Sequence, residues 1–508
     1  MAEQQSQECI KLSQTPSGAI SLVKQLRKNP NDKQLLNTLT NIVADPDCWE
    51  HLRDADILDL FIDLTLNRID RNKDEQDPFP SWLLPLQGLF NFMVGVRRSS
   101  GGFENKQNRE KMIQYLTICP QICDLLYNDG FHICRSEEHA EHIRRTLVSW
   151  IQAIWNGTAM VGLAQIKNRL KESHIIAIST WCWLFTTTSQ LRSIATLSLS
   201  DILEQPITSK NDLEEVITAC GSSERLVEAI NHILSDENVL DESLTYCMGL
   251  SIAFTGQTIR PELIQMFGTL NTTKHVMGAL RRQIRYAEQT ENTWRIITYS
   301  GMLLVNIVND SKSPTEELTN LISNYSLVPL LAGVLLRIAQ ASKSGETWLS
   351  LVALLKHTCT CTSKSCRIRT SPEYVSALRT HLQWRWWSTL KKLYTTAPKS
   401  EVSSKKKIMD EWLLLGRVAG LKEEEEKQRH EEKGVGIKGC WYANCLDLVQ
   451  QDPDPSCDHP PPPITTISAP SLRKCSGCKK AMYCSTACQS KLEGTQKSVY
   501  GLEDRQLR

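Results

Sequence analysis

The sequence lacks the features that define several large classes of protein. It has no excess of charge of either sign, since 58 lysines and arginines face 57 aspartates and glutamates. Coating of duplex DNA requires a clear excess of basic residues, so nucleic acid is not a favoured partner. The start, MAEQQSQECIKL, also lacks the basic and then apolar pattern of a signal peptide. These absences favour a protein that acts inside the cell, in the cytoplasm or the nucleus.

Long apolar runs are absent too. The best candidate for a membrane segment, residues 173–191, has no formal charge, but its apolar part covers only residues 175–185. A membrane-spanning helix needs about 20 apolar residues. We therefore predict a buried helix of a soluble protein there, and no membrane partner.

Familiar catalytic signatures are also missing. The sequence contains no Gly-x4-Gly-Lys-Ser/Thr loop, no Gly-x-Ser-x-Gly elbow and no His-Glu-x2-His helix. We therefore predict a protein that is not an enzyme, with no catalytic residues and no organic cofactor.

What the sequence does contain is helical periodicity from about residue 18 to residue 396, which predicts a helical region over residues 1–396. Apolar residues recur three and four positions apart in ADILDLFIDL, RRTLVSWIQAIW, SERLVEAINHIL and SLVPLLAGVLLRIAQA. Ser-Pro-Thr-Glu at Ser313, Ser-Pro-Glu at Ser371, and Asn211 with Glu214 predict helix starts. A single core stops growing at about 250–300 residues, so the pattern predicts a mostly α armadillo/HEAT-like helical solenoid.

A polar boundary, TTAPKSEVSSKKK, follows the helical region. Residues 397–436 read as a linker and a highly charged helix that ends near Gly434. The tryptophans and lysines around this boundary are better explained by a packed helix than by a nucleic-acid surface.

The cysteines are concentrated after this linker. Of 18 cysteines, seven lie between Cys440 and Cys488, and clustered cysteines without a secretory signal indicate a metal site. Six form pairs: Cys440 with Cys445, Cys475 with Cys478, and Cys484 with Cys488. Thiolate pairs at such spacings suit the tetrahedral coordination of zinc. We therefore predict a small zinc-stabilised module at residues 437–500, with a proline-rich insertion at residues 446–474.

The module resembles the MYND zinc finger. KCSGCKKAMYCSTACQ (residues 474–489) carries the family signature Tyr-Cys-x3-Cys-Gln, and CWYANC (residues 440–445) precedes it. The resemblance implies two cross-braced zinc sites with eight ligands in a module that binds proline-containing peptides. One site would consist of Cys440, Cys445, Cys484 and Cys488, and the other would begin with Cys475 and Cys478.

The sequence departs from the family pattern in three ways. The first pair is spaced Cys-x4-Cys rather than Cys-x2-Cys, and a long insertion follows it. The last two family ligands, His and Cys, fall at Gln496 and Tyr500. We therefore expect one tightly held zinc ion and a weak second site. Two alternatives stay open: Cys457 and His459 of the insertion complete the second site, or the gene model departs from the natural sequence after Gln489.

Two other groups of histidines and cysteines imitate metal sites. His132, Cys134, His139 and His142 surround acidic residues at a predicted helix start, which favours an ordinary solvated helix. His357, Cys359, Cys361 and Cys366 contain a Cys-x-Cys step, which is poor geometry for one tetrahedral ion. We interpret both groups as structural.

The favoured function is therefore a zinc-binding adaptor for protein–protein interaction. The finger would bind proline-containing peptide motifs, and the helical region would bind a larger protein partner. The alternatives are an enzyme related to the MYND-containing lysine methyltransferases and a nucleic-acid-binding regulator. The finger lies at the C-terminal side here, whereas in those methyltransferases it interrupts the catalytic domain near the N-terminus.

Overall fold

The structure is a computed structural model of the 508-residue chain. It describes residues 2–69, 79–99, 101–128, 130, 132–135, 138–203, 209–256, 261–286, 290–341, 343–363, 365–383, 385–395, 402–434, 473–474 and 482–483. These residues fall into two compact units, Met1–Thr272 and Thr273–Arg508.

The first unit consists of helices and one 3-10 turn in its described residues. Its elements are α1 (Ala2–Ser13), α2 (Pro16–Lys28), α3 (Lys33–Ile42), α4 (Pro46–Asp54), α5 (Ile57–Ile69), α6 (Leu83–Arg98), a 3-10 turn (Gly102–Glu104), α7 (Lys106–Asn128), α8 (Glu138–Val161), α9 (Ala164–Glu172), α10 (Ile175–Phe185), α11 (Ser189–Leu203), α12 (Lys210–Cys220), α13 (Ser223–Ser235), α14 (Asp241–Gly256) and α15 (Pro261–Thr269). The apolar segments used to predict helices in this part of the chain lie on α5, α8 and α13, apart from Ala55 and Asp56, which form the turn before α5.

The second unit begins at α16 and is also helical. Its helices are α16 (Thr272–Tyr286), α17 (Glu291–Asp310), α18 (Pro314–Ser323), α19 (Leu327–Ala341), α20 (Glu346–Thr360), α21 (Pro372–Gln383), α22 (Trp386–Thr395), α23 (Val402–Val418) and α24 (Glu423–Gly434). Two short strands follow, β1 (Arg473–Lys474) and β2 (Met482–Tyr483), and they pair antiparallel.

Within each unit, helices pack against the third helix along the chain. In the first unit α3 packs on α6, α8 packs on α11, and α11 packs on α14. In the second unit α17 packs on α20 and α20 on α23, while α18 packs on α21 and α19 on α22. Each set of helices therefore covers the apolar face of the preceding set, as in an armadillo-like solenoid. The predicted fold class, a mostly α helical solenoid, is confirmed.

Tryptophans are prominent among the large buried side chains of each unit. The largest fully buried side chains include Trp49, Trp82, Trp150 and Trp183 in the first unit, and Trp348, Trp386 and Trp412 in the second. The last two are joined directly, because each indole N–H donates to the backbone carbonyl of the other residue, at 2.8 and 3.0 Å. These bonds satisfy the two buried indole N–H groups. A buried polar group without a hydrogen-bond partner would cost about 1–3 kcal/mol.

Helical packing continues past residue 396, where the sequence predicted the start of a linker. Helix α23 packs against α20 and α22 and buries Ile408, Trp412 and Leu415. Helix α24, although highly charged, packs on α22 and buries Glu426, which pairs with Arg429. The polar stretch ahead of α23 therefore connects α22 to α23, which pack against each other. It does not mark the end of the packed helices.

The predicted membrane candidate is a short buried helix. Helix α10 covers only eleven residues, most of them buried. Among the described residues, no single helix is long and apolar enough to span a bilayer. Helices α18 and α19 reach that length and composition only when joined, and the chain bends by 80° between them.

Candidate metal centres

All the ligands predicted for the zinc finger lie outside the described residues. This holds for Cys440, Cys445, Cys475, Cys478, Cys484 and Cys488, and for the alternative ligands Cys457 and His459. The ligand assignment and the expectation of one tight zinc ion therefore stay predictions.

The described residues of this module are those of the antiparallel strand pair, β1 and β2. Lys474 of β1 is the partner of Met482 of β2, and Arg473 is the partner of Tyr483. In the sequence, the segment between the two strands carries Cys475 and Cys478. Cys484 follows β2 directly. Strands this short were missed in the sequence because two residues show no alternation of apolar and polar side chains.

The histidine- and cysteine-rich segment runs into the first turns of α8, where His139 and His142 are exposed, as expected for a solvated helix start. His139 and His142 make edge-on contacts with the ring of Phe79, with ring centroids 5.9 and 6.0 Å apart. His132 is buried, and burial raises the pKa of the Cys134 thiol to about 11. A thiol with so high a pKa carries little thiolate at neutral pH, and thiolate is the form that binds metals.

A buried ion pair organises the same segment. The Arg144 guanidinium contacts the Glu141 carboxylate at 3.0 Å and donates to the backbone carbonyls of Ile133 and Arg135. Burial alone would raise the pKa of Glu141, but hydrogen bonds from Thr188 and Arg144, with others from backbone N–H groups, hold this pKa below its ordinary value. Glu141 is therefore an ionised structural partner of Arg144 here.

The second histidine- and cysteine-rich segment differs from the prediction. His357, Cys361 and Cys366 come together at the end of α20, with their ligand atoms all within 4.8 Å of one another. The Nε2 atom of His357 lies 3.4 Å from the Sγ atom of Cys366. This contact lowers the pKa of the Cys366 thiol below its ordinary value. Among the described residues, this is the one group of three or more His, Cys, Asp or Glu side chains whose ligand atoms lie close enough together to hold a metal ion.

Cys359 does not belong to this cluster. Its thiol is buried enough to raise its pKa to about 11, and it makes a hydrogen bond with Tyr374. On a helix, Cys359 is two positions from His357 and so faces a different side, whereas Cys361 is four positions away and faces the same side. The sequence prediction took all four residues together and set them aside because of the Cys-x-Cys step, whereas the structure brings together the His-x3-Cys pair and Cys366.

Comparison with known families identifies the C-terminal module. The family model of the MYND finger matches residues 457–493 of this chain. The matched stretch contains Cys475, Cys478, Cys484 and Cys488 together with the alternative ligands of the insertion, and it leaves out Cys440 and Cys445. The chain therefore carries a MYND finger behind a long helical region, as the resemblance implied.

Comparisons with whole proteins do not extend the assignment beyond the MYND finger. A comparison with curated proteins finds no match. The crystal structure of SYS-1 is similar over 86% of this chain and 90% of its own, with 11% identity and a TM-score of 0.29. So loose a superposition does not identify equivalent helices, and the fold is argued above from the helix contacts themselves.

The MYND finger defines the class of site at this end of the chain. It is a zinc-binding module of protein–protein interaction. The donors available in the matched stretch are thiols and an imidazole, the ligands that zinc prefers in structural sites. The chain is thus a helical-solenoid protein with a zinc-binding interaction finger.

Proposed function

We propose that this protein is a non-enzymatic adaptor that acts inside the cell. Its finger binds proline-containing segments of other proteins, and its helical region binds a larger protein partner. The observation that carries the proposal is the MYND match at residues 457–493, on the same chain as a body of stacked helices. Stacked helices expose extended surfaces for partners, and proline-rich segments lose little entropy when they dock.

The described cysteines support an intracellular site of action. Ten of them, from Cys48 to Cys366, form no disulfide, and several are fully buried. Free thiols persist in the reducing interior of cells, whereas secreted proteins usually oxidise theirs to disulfides.

The finger's role can be tested by peptide binding. The full-length protein would be titrated against fluorescent proline-containing peptides and against the same peptides with proline replaced by alanine. We expect Cys484→Ser and chelator treatment to weaken binding about tenfold or more, while the neighbouring change Ser485→Ala leaves it unchanged. Equal binding by wild type and Cys484→Ser would contradict the proposal.

Two rival functions make different predictions. A methyltransferase binds S-adenosylmethionine, which calorimetry with the full-length protein would detect. A nucleic-acid-binding regulator shows affinity that falls steeply as salt rises, because each phosphate contact releases counterions. An adaptor shows neither property.

A further inference from the structure

A second candidate metal site lies far from the finger in the sequence, at the end of α20. His357 occupies the last turn of that helix, and Cys361 is its C-cap, with its N–H bonded to the His357 carbonyl at 2.9 Å. Cys366 lies on the loop that leads to α21. His357 is exposed, while the two cysteines are partly buried, so the cluster can be reached from solvent.

The spacing between these atoms fits one tetrahedral ion. Zinc bonds of about 2.3 Å to sulfur and about 2.0–2.1 Å to nitrogen place two neighbouring tetrahedral ligands about 3.5–3.8 Å apart. The observed distance from His357 Nε2 to Cys366 Sγ is 3.4 Å, and all three ligand atoms lie within 4.8 Å of one another. Small adjustments of the side chains are therefore enough to bring them around a single ion.

The backbone already holds the cysteine loop in this position. The Thr370 N–H bonds to the Cys361 carbonyl at 2.9 Å, which closes the loop on itself. The Arg367 guanidinium donates to the Ser311 carbonyl, and the Thr315 hydroxyl donates to the Arg369 carbonyl at 2.9 Å. Because the loop is anchored on both sides of Cys366, metal binding needs little further ordering of the chain.

We propose that His357, Cys361 and Cys366 bind one zinc ion, independent of the MYND finger. The two thiols release their protons as they bind, and neutral His357 binds through Nε2, with its remaining ring proton on Nδ1. A water molecule completes the tetrahedral shell. Thiolate and imidazole ligands favour zinc over magnesium or calcium, which prefer oxygen. The ion would tie the 361–371 loop to the end of α20.

Metal content of the full-length protein tests this proposal. Zinc per chain would be measured by elemental analysis for wild type, Cys361→Ser, Cys366→Ser and His357→Gln. We expect each variant to lose one zinc, and the double variant Cys361→Ser/Cys366→Ser to lose one as well. Cys484→Ser combined with Cys361→Ser should lose the zinc of both sites, because the two sites bind separately.

Cys359→Ser is the matched control. It removes a thiol from the same helix end that does not belong to the cluster, so its zinc content should equal that of wild type. Circular dichroism would verify that the variants remain helical, and the exposed His357→Gln provides a change with little risk to folding. Replacement of zinc by cobalt should give the visible absorption of a tetrahedral sulfur-containing site, which Cys366→Ser should reduce.

Three results would overturn the proposal. One is unchanged zinc content in folded Cys361→Ser and His357→Gln proteins. Another is an equal loss in the Cys359→Ser control. The third is a disulfide between Cys361 and Cys366 in the native protein, found by mass spectrometry after alkylation, because oxidised sulfurs do not bind zinc.

Discussion

Arg144 carries a fully buried positive charge, and the carboxylate of Glu141 is its ion-pair partner. The pKa of Glu141 lies below its ordinary value in the folded protein. Its carboxylate therefore stabilises the fold above the unfolded pKa of about 4.3, and this contribution is lost as pH falls through the lower folded pKa.

This linkage predicts a pH-dependent effect of Glu141→Gln. At pH 7 the variant leaves the buried Arg144 charge unpaired, and we expect a loss of about 3 kcal/mol in the free energy of unfolding. Denaturant unfolding at a series of pH values would show the difference from wild type shrinking below pH 4 or so. A difference that stays constant into acid would contradict the linkage.

Gly416 illustrates how closely the tryptophan core of the second unit is packed. A Cβ atom at this position would lie only 2.0 Å from Cε2 of the buried Trp386 ring. That ring is held by its bond to the Trp412 carbonyl and cannot move aside freely. The glycine is therefore required for the close approach of α23 to α22.

Gly416→Ala should consequently destabilise the protein by about 1–3 kcal/mol through overpacking. Gly268→Ala is the matched control, because that helical glycine has nothing within 4 Å of the added Cβ. In the control the lower entropy of the unfolded chain should make alanine neutral or stabilising by up to about 1 kcal/mol. Thermal unfolding of both variants would compare the two, and equal effects would show that the Trp386 contact is not the cause.

At the scale of single helices, similar sequences produce different caps. Helices α18 and α21 begin, as predicted, at Pro314 and Pro372, each after a serine. Ser371 accepts a hydrogen bond from the Tyr374 N–H at 3.1 Å, whereas Ser313 makes no side-chain cap bond. At α12 the N-cap is Ser209, not the predicted Asn211. Sequence thus located the helix starts to within a few residues, but not the capping bonds.

This difference predicts unequal effects of one substitution. Ser371→Ala should lower the free energy of unfolding by about 1 kcal/mol, because an orphan N–H of α21 loses its partner. Ser313→Ala should have an effect of a few tenths of a kcal/mol, since no cap bond is lost. Urea unfolding would measure both. A larger effect at Ser313 would mean that its cap forms in solution.

At the scale of the whole molecule, the packing of α23 decides where the helical body can be cut. A chain that ends at residue 434 keeps Ile408, Trp412 and Leu415 buried, whereas one that ends at residue 396 removes them. Burial of each such side chain contributes about 1.5–3 kcal/mol. We expect the shorter chain to lose on the order of 5 kcal/mol of stability relative to the longer one. Unfolding midpoints of the two chains would decide; equal midpoints would support the predicted boundary at residue 396.

The finger makes a separate prediction about zinc content. By the ligand assignment from the family resemblance, Cys440, Cys445, Cys484 and Cys488 hold one tight zinc, while Gln496 and Tyr500 replace the last ligands of the other site. Neither an amide nor a phenol binds zinc well at neutral pH. We expect one zinc per chain in native mass spectrometry of residues 434–508, lost in Cys484→Ser and kept in Cys475→Ser.

Two zinc ions in that fragment would contradict the one-site assignment. Loss of one of them in Cys457→Ser or His459→Ala would then show that the insertion supplies ligands. This outcome would agree with the family match, which begins at Cys457.

The sequence by itself determined the helices and the kind of finger, because both depend on local information. Apolar spacing and proline starts mark α5, α8, α13, α18, α19 and α21 without reference to their partners. The signature around Tyr483 and Gln489 identifies the MYND finger in the same way. Only the tertiary structure decided which helices pack together, since contacts three helices apart are not visible in any local pattern.

The same distinction explains the cluster at α20. The sequence places four possible ligands within ten residues, but the turn of the helix and the return of its loop select His357, Cys361 and Cys366. It also explains α23, whose flanking polar residues suggested a linker. Trp412 reaches Trp386 only because α20, α22 and α23 pack together. The amino-acid composition around α23 does not reveal these tertiary contacts.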